Sequence, residues 1–462
     1  TLKNDGDKID RWNNFMGKDY FATQDIDSSR PFYRTDTAGI NGWPAVEFVP
    51  PNRFLKINEI TPVGENLSLF AVAKSNKENW IGHTWIANSR EDNGFLIHNN
   101  NNSKSVYSVV CDEERRYVGT SSMDAVDPSN QHIFGIQTDF SKWRNNFQID
   151  NQTTYDNINQ DYFRDGEDTI SLRLGKDNGQ RYGDGKLSEM IYFKEDVEEA
   201  KRLIVANYLA SKYNVDLKQD IRYDFSTIHP FEVAGVGRIS ATDYHADAKG
   251  TGIIRMIAGS DMGDFEFLLW GHNDKSLTSW NEIKDVQDEK LEVLERSWRV
   301  TERGDIGAVT VRIEKADMPI FTGKIGLIMA ASADYSDGVI FELADMGAYF
   351  SANLNLKDAS YLSFAAAEDF TIRSSELNSL SSISLFPNPA ENGHTNLSFI
   401  SVNAGNADIN IFDQMGRELH SRNEYLTQGE NNIEFDVSDF STGVYLISIK
   451  AEGVNQVLRL LK

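Results

Sequence analysis

The feature that most constrains the fold of this chain is the alternation of apolar and polar residues in short runs. These runs are separated by Gly, Asn and Asp, and examples are residues 67–72, 309–313 and 433–437. In the last of them Ile433, Phe435 and Val437 fall on one face of an extended strand. A period of two predicts half-buried antiparallel strands, so the sequence predicts a mainly β protein.

One segment departs from this pattern. Val197, Ala200, Leu203 and Leu209 recur at the three-to-four spacing of an amphipathic helix. Asp196 is the predicted N-cap, and the helix is expected to end near residues 213–214. A single helix after a long β-rich stretch indicates the end of a first domain.

The length of 462 residues predicts two to four domains at ~100–200 residues each. Residues 371–382 are rich in Ser and poor in large apolar side chains, as is typical of a linker. The sequence therefore predicts a first domain at 1–219, a second β-rich domain at 220–370, this linker, and a compact module at 383–462.

Charge and cysteine content exclude some classes of function. The chain has 46 Lys and Arg against 70 Asp and Glu, a net charge of −24, which argues against nucleic acid and anionic lipid as partners. The single cysteine, Cys111, cannot form a disulfide within the chain and is predicted to be a small buried apolar residue. Residues 326–331 form the most apolar stretch, which has the length of a core strand rather than of a membrane span.

The module at 383–462 carries the most specific motifs, which are residues 384–390, 409–417, 426–431, 441–449 and 459–462. Pro387 and Pro389 cannot donate a backbone hydrogen bond, so they predict an extended strand at a sheet edge. Asp413 and Gly416 suit a hairpin turn between alternating strands. These features predict a small β-sandwich.

In order and spacing, these motifs resemble the type A C-terminal sorting domain of the type IX secretion system of Bacteroidota. The resemblance implies an Ig-like sandwich that is recognised by an outer-membrane translocon and a shuttle barrel, then removed by a surface sortase-like protease. It implies export through the periplasm and outer membrane to the cell surface or the extracellular space. The residues that carry the implied sorting signal are Pro387, Asn388, Pro389, Asp413, Gly416, Arg417, Gly443, Tyr445, Arg459 and Lys462.

Individual residues of this implied signal differ in what they indicate. Arg459 stands where the family often has Lys, although the positive charge is kept. Pro387, Gly416 and Tyr445 could equally serve only to maintain the fold, because a signal that must fold to be recognised combines both roles.

The linker is the predicted site of maturation. A protease cleaves backbone that can be drawn into an extended conformation, and folded strands resist this. The residues of the predicted cleavage region are Ser374, Ser375, Glu376, Asn378 and Ser381.

The first domain resembles a laminin-G-like, concanavalin-A-like jelly roll. The residues that carry this resemblance are Trp12, Arg30 and Pro31, with segments 41–48, 172–175, 185–192 and 208–213. It covers residues 1–219, and the family's usual first strand is expected to precede Thr1. Such folds serve as lectins, glycosidases or spacers, so the fold does not decide the function.

Hydrolysis of glycans is not expected. A retaining glycosidase needs two carboxylates about 5 Å apart, and on this fold the resemblance implies a strand of the form Glu-x-Asp-x-(x)-Glu, which the sequence lacks. The acidic segments 264–266 and 434–436 have no third acid and lie outside the first domain. We therefore predict that the chain is not an enzyme.

Two weaker candidates for ligand binding lie in the first domain. Asp165, Glu167, Asp168 and Asp177 are candidate ligands of Ca²⁺, with solvated turns as the favoured alternative, and no other cofactor is implied. Trp80, Trp85 and Trp143 could stack on carbohydrate, with burial in the core as the favoured alternative.

The second domain, through segments 229–238, 268–272, 295–302 and 304–311, resembles an uncharacterised β domain that follows laminin-G-like domains in exported proteins of Bacteroidota. His229, His245 and His272 lack the paired spacing of metal ligands, so structural roles are predicted.

Three functions remain open. The first is a secreted cell-surface protein that acts as an adhesin or binds glycans. The second is a glycan-active enzyme, and the third is the structural stalk of a larger exported protein.

Overall fold

The structure of the protein is a computed structural model. It describes residues 3–462 except 18–19, 63–65, 79–86, 89–93, 100–103, 112–115, 125, 162–168, 177–181, 219–220, 260–261, 285–289, 369–379, 391–392, 402–403, 415, 428 and 452–453. Two compact units divide the chain. Unit 1 contains Thr1–Ser276, Arg296–Ile306 and Lys357–Ser360, and unit 2 contains Leu277–Glu295, Gly307–Leu356 and Tyr361–Lys462.

Unit 1 begins with fifteen described strands and one α-helix. They are β1 (Arg11–Asn13), β2 (Phe21–Thr23), β3 (Phe32–Arg34), β4 (Ala45–Phe48), β5 (Leu55–Pro62), β6 (Leu67–Ser75), β7 (Ala87–Asn88), β8 (Phe95–Asn99), β9 (Val106–Cys111), β10 (Tyr117–Met123), β11 (His132–Asp139), β12 (Arg144–Ile149), β13 (Gln152–Asn157), β14 (Thr169–Leu174), β15 (Gly185–Phe193) and α1 (Glu199–Tyr213).

These strands form two antiparallel sheets that face each other as a jelly-roll sandwich. One sheet has the order β1-β2-β5-β14-β7-β8-β9-β10 and the other the order β13-β12-β11-β6-β15-β4-β3. The core between them includes Phe48, Phe95, Phe134 and Phe147, all buried. The predicted fold class of mainly β sandwiches is confirmed.

The strand β6 shows why part of the sequence is apolar without interruption. Leu69 and Ala71 point into the sandwich core, while Phe70 and Val72 point to the opposite face, where α1 packs through Leu209. Both faces of β6 are therefore buried, and alternation gives way to a continuous apolar run.

The helix α1 ends as predicted but begins later. Its C-cap is Asn214, in the left-handed conformation with φ 52°. Asp196 is not the N-cap; its carboxylate instead accepts a hydrogen bond from Gln137 at 3.0 Å. Asp243 caps the helix, because its two carboxylate oxygens accept the backbone N–H groups of Glu199 at 3.0 Å and Ala200 at 2.9 Å.

The rest of unit 1 contains β16 (Phe231–Ser240), β17 (Asp243–His245), β18 (Asp247–Ala248), β19 (Arg255–Ala258), β20 (Glu266–His272) and β23 (Trp298–Arg303). The strands β17, β16, β20 and β23 pair in that order. Leu203 and Ile204 of α1 share a buried cluster with Val233, Phe267 and Leu269. The boundary at 219/220 stays a prediction, but the elements on either side of it share one core.

Unit 2 contains β21 (Trp280–Lys284), β22 (Lys290–Leu294), β24 (Ala308–Glu314), β25 (Lys324–Ala330), β26 (Val339–Glu342), β27 (Ala344–Asp345), β28 (Tyr349–Asn355) and β29 (Tyr361–Ala367). The strands β21, β22, β29, β25 and β26 pair in that order, and β24, β28 and β27 pair in theirs. The predicted core strand at 326–331 corresponds to β25, in which Leu327 and Ile328 are buried.

Unit 2 ends with β30 (Leu380–Phe386), β31 (His394–Ser401), β32 (Gly405–Phe412), β33 (Glu418–Leu426), β34 (Gly429–Asp436), β35 (Val444–Ala451) and β36 (Val454–Leu461). A three-stranded sheet, β30-β31-β34, and a four-stranded sheet, β33-β32-β35-β36, enclose one apolar core. Ile433, Phe435 and Val437 all point into this core, as their alternation predicts.

Two further findings concern the whole described chain. Among the residues that the structure describes, no helix is long and apolar enough to cross a membrane. Cys111 is buried with Leu96 and Val109, which confirms the prediction of a small buried apolar residue.

Candidate functional site

The C-terminal sandwich brings its first and last segments together. The Asn388 amide donates to the backbone carbonyl of Arg459 at 2.9 Å and accepts the N–H of Leu461 at 2.8 Å. The N–H of Ala390 donates to the carbonyl of Leu461 at 2.8 Å. The chain end is therefore held by the segment that follows β30.

A second pair of hydrogen bonds fixes the last residue. The N–H of Gly443 donates to the carbonyl of Lys462 at 2.9 Å, and the N–H of Lys462 donates to the carbonyl of Gly443 at 3.0 Å. We call Asn388, Ala390, Gly443, Leu461 and Lys462 the terminal cluster. It joins three of the five sequence motifs at one end of the sandwich.

The prolines lie next to this cluster rather than within a strand. The strand β30 ends at Phe386, so Pro387 and Pro389 follow it instead of forming part of it. The physical reason is the missing N–H of proline, which stops the ladder. As predicted, the strand concerned lies at a sheet edge, because β30 is the outermost strand of its sheet.

The predicted hairpin turn lies between β32 and β33. Gly416 has φ 77°, and its N–H donates to the carbonyl of Asp413 at 3.0 Å. The Asp413 carboxylate accepts the backbone N–H of Arg417 at 3.0 Å and its guanidinium Nε at 2.7 Å. Asp413 and Arg417 therefore close a turn that requires a left-handed residue at Gly416.

Tyr445 and Arg459 have different surroundings. Tyr445 is buried, donates its hydroxyl to the carbonyl of Ser441 at 2.6 Å, and packs against Phe440 with ring centroids 4.9 Å apart. Arg459 is exposed on the outermost strand β36, opposite Leu446 of β35. Tyr445 therefore stabilises the fold, whereas Arg459 is available to a partner.

The outer face of the four-stranded sheet exposes apolar side chains near this end. Leu446 is 41% exposed and Val457 is 56% exposed. Because residues two apart on a strand share a face, Leu446 lies on the same side as Val444, which pairs with Leu461. An apolar face beside a positive charge thus borders the terminal cluster.

The sandwich begins three residues earlier than predicted. The strand β30 starts at Leu380 rather than at residue 383, and Ser381 is paired with Ile400 of β31. Ser381 therefore lies in a strand and not in the linker. Ser374, Ser375, Glu376 and Asn378 lie outside the described residues, as do the four candidate Ca²⁺ ligands Asp165, Glu167, Asp168 and Asp177.

Other candidates occupy structural positions. Among the described residues, no group of three or more His, Cys, Asp or Glu side chains could hold a metal ion. His229 contacts the Ser297 hydroxyl at 3.0 Å, and burial lowers the pKa of His229 to about 4. His272 contacts Glu232 at 2.8 Å. Burial also lowers the pKa of His245.

The tryptophan candidates of the first domain divide in two groups. Trp143 packs against the sandwich core and contacts Phe140 edge-on at 5.9 Å, so it is a packing residue. Trp80 and Trp85 lie outside the described residues. Trp43 has no motif that predicts a ligand contact, yet it lines a pocket in unit 1 together with residues far from it in the chain.

Comparisons with known proteins agree with the C-terminal geometry. A family described as a secretion system C-terminal sorting domain matches residues 384–462, and a domain of unknown function matches residues 255–360. No curated protein matches the chain.

Several solved structures are similar to this chain at low identity and low TM-score. A SAP-like pentraxin from Limulus polyphemus is 12% identical with a TM-score of 0.29, and the match covers 36% of this chain and 82% of the pentraxin chain. The sialidase CBM40 from Ruminococcus gnavus, bound to sialyllactose, is 14% identical with a TM-score of 0.24, and the match covers 30% of this chain and 80% of the CBM40 chain. The ligand binding domain of Botulinum neurotoxin serotype D, in complex with N-acetylneuraminic acid, is 11% identical with a TM-score of 0.30. This match covers 78% of this chain and 96% of the neurotoxin domain.

The match at 384–462 establishes what the C-terminal sandwich is. It is a type IX sorting tail, and the protein is exported by type IX secretion to the cell surface or the extracellular space. The tail interacts with the type IX secretion machinery.

Proposed function

We propose that this chain is a non-enzymatic, glycan-binding or adhesive protein of the bacterial cell surface. Its C-terminal sandwich is the export and surface-attachment signal, in a member of the Bacteroidota. The observation that carries the export part of the proposal is the sorting-domain match at residues 384–462, the folded domain whose first and last segments Asn388 joins.

The partners of the signal follow from its exposed features. The apolar side chains of Leu446 and Val457 and the charge of Arg459 form a surface at the outermost strand β36. Burial of such apolar area favours a protein partner, while the charge adds selectivity. We propose that an outer-membrane translocon and a shuttle barrel dock on this strand.

A surface sortase-like protease then removes the domain. Because Ser381 is paired in β30, cleavage there would first have to unpair a strand. We therefore propose that cleavage falls before Leu380, in the Ser-rich segment that includes Ser374 and Asn378.

The absence of an enzymatic role is a further part of the proposal. The sequence has no Glu-x-Asp-x-(x)-Glu strand, and the acidic pairs elsewhere have other roles. Asp264 pairs with Arg238 at 2.8 Å. Asp436 accepts hydrogen bonds from Ser438, which hold the pKa of Asp436 below its usual range. No reducing ends should appear when the chain is incubated with polysaccharides.

Deletion of residues 380–462 tests the proposal in cells that possess type IX secretion. The truncated chain should stay inside the outer membrane, with the circular dichroism of its β domains retained. As the control, residues 371–462 fused to an unrelated periplasmic protein should carry that protein to the surface or the medium.

Mass spectrometry of the mature full-length protein should place its new C-terminus between residues 370 and 380. Normal amounts of the truncated chain outside the cell would refute the export proposal. A mature protein that keeps Lys462 would refute the proposed cleavage.

A further inference from the structure

We infer that a pocket at the C-terminal end of α1 binds one neutral sugar unit of a glycan. This inference rests on the proposed glycan-binding function and names the site of that function. The pocket has a volume of about 270 Å³ and lies within unit 1. It lies beside the end of the helix and away from the core between the two sheets of the sandwich.

The position of Trp43 is set by a tight turn. Ile40 and Trp43 exchange both backbone hydrogen bonds at 3.0 Å. The two residues between them, Asn41 and Gly42, have φ of 47° and 75°. An Asn-Gly pair with positive φ at both positions is the favoured two-residue hairpin turn. This turn presents the half-buried indole of Trp43 to the pocket.

An aromatic wall forms one side of the pocket. Trp43 and Phe231 have ring centroids 6.1 Å apart and planes tilted by 58°. His272 stacks on the Phe231 ring with centroids 5.8 Å apart, and Pro230 adds apolar surface to the lining. The negative face of an aromatic ring attracts the weakly positive C–H groups of a sugar ring. This wall therefore suits the apolar face of a pyranose.

Neutral polar groups form the rest of the lining. They belong to Asn41, Asn214, Ser211, Ser226 and Thr227, and the Asn41 amide also donates to the carbonyl of Lys212 at 3.0 Å. Amides and hydroxyls both donate and accept hydrogen bonds, as sugar hydroxyls do. A mixed lining of this kind complements a polyol better than it complements an anion or a hydrocarbon.

The charge of the pocket selects a neutral ligand. Lys212 is the single charged residue of the lining. Its ammonium pairs with Glu189 at 2.9 Å, contacts the Tyr208 hydroxyl at 3.0 Å, and lies 4.4 Å from the centroid of the Trp43 ring. The carboxylate of Glu189 offsets this charge, so an acidic sugar gains little from Lys212.

The volume restricts the size of the ligand. Pockets for drug-sized ligands measure ~300–1,000 Å³, and this pocket lies just below that range. This volume is large enough for one sugar ring, and the remaining units of a glycan would extend into solvent.

The test uses the full chain and an array of immobilised neutral oligosaccharides built from glucose, galactose, mannose or xylose. Sialylated and uronic-acid oligosaccharides form a separate arm. Trp43→Ala should weaken binding to the neutral arm at least about tenfold, because the aromatic contact is lost. Trp280→Ala is the matched control, since this half-buried tryptophan belongs to unit 2.

A second variant guards against loss of folding. Asn214 is the exposed left-handed C-cap of α1, a position that Gly occupies readily, so Asn214→Gly removes the amide without disturbing the helix. It should weaken binding roughly three- to tenfold, the contribution of one hydrogen bond.

The outcomes separate the inference from the proposed function. Glycan binding that neither Trp43→Ala nor Asn214→Gly weakens overturns the pocket and leaves the glycan-binding proposal in place. Binding confined to the acidic arm overturns the assignment to a neutral sugar. Absence of binding to every glycan overturns the glycan-binding proposal itself, and the inference with it.

Discussion

Replacement of Asn388 by Ala should destabilise the sorting domain selectively. The side chain makes two hydrogen bonds to the end of β36, at 2.9 Å to the carbonyl of Arg459 and at 2.8 Å from the N–H of Leu461. Each contributes about 0.5–1.5 kcal/mol, and the exposed setting favours the lower half of that range. We therefore expect a loss of about 1–2 kcal/mol.

For a domain of this size, 1 kcal/mol shifts the melting temperature by about 4–8 °C. Differential scanning calorimetry of the full chain should show the transition of the C-terminal sandwich lowered by roughly 4–16 °C. That transition is identified by its absence from a chain that ends at residue 370.

The matched control is Asn406→Ala, which removes an exposed asparagine of β32 in the same sandwich. This control should move the transition by no more than about 0.5 kcal/mol, as is usual for surface substitutions. Equal shifts for Asn388→Ala and Asn406→Ala would contradict this prediction, because the terminal cluster would then contribute nothing measurable.

Two further predictions concern unit 1. Burial, and then the neighbouring Asp139 carboxylate, raise the pKa of Asp196 to about 6, with Lys142 opposing them. The native state thus binds the proton of the Asp196 carboxyl more tightly than the unfolded chain does. The stability that this bound proton contributes is lost as pH rises from about 4 to 6. Asp196→Asn should raise the melting temperature of unit 1 at pH 7.5 and change it little at pH 4; an equal gain at both pH values would contradict this. Gly175 has φ 87°, and in Gly175→Ala the added Cβ would lie 2.3 Å from the buried Phe48 ring. We expect the free energy of unfolding to fall by about 2–4 kcal/mol. Gly42→Ala, at φ 75° with no atom within 4 Å, should lose only about 1 kcal/mol, and urea unfolding that fails to separate the two variants would contradict the steric argument.

Several local features of the fold follow from the order of residues alone. Alternation placed Ile433, Phe435 and Val437 on the core face of β34, and Asp413 with Gly416 specified the turn between β32 and β33. The end of α1 near Asn214 was also predicted correctly. Side-chain periodicity and positive φ are properties of a few consecutive residues, so they can be predicted from the local sequence without the rest of the fold.

The contacts between distant residues depend instead on the folded arrangement of the whole chain. The N-terminus of α1 is capped by Asp243, which lies 44 residues beyond Glu199. The prediction of Asp196 as the N-cap was therefore wrong. Asn388 reaches Leu461 across 73 residues, and Asn41 donates to the carbonyl of Lys212 across 171. Such contacts depend on how strands order themselves in sheets and on which faces are buried, and no local pattern of residues encodes that choice.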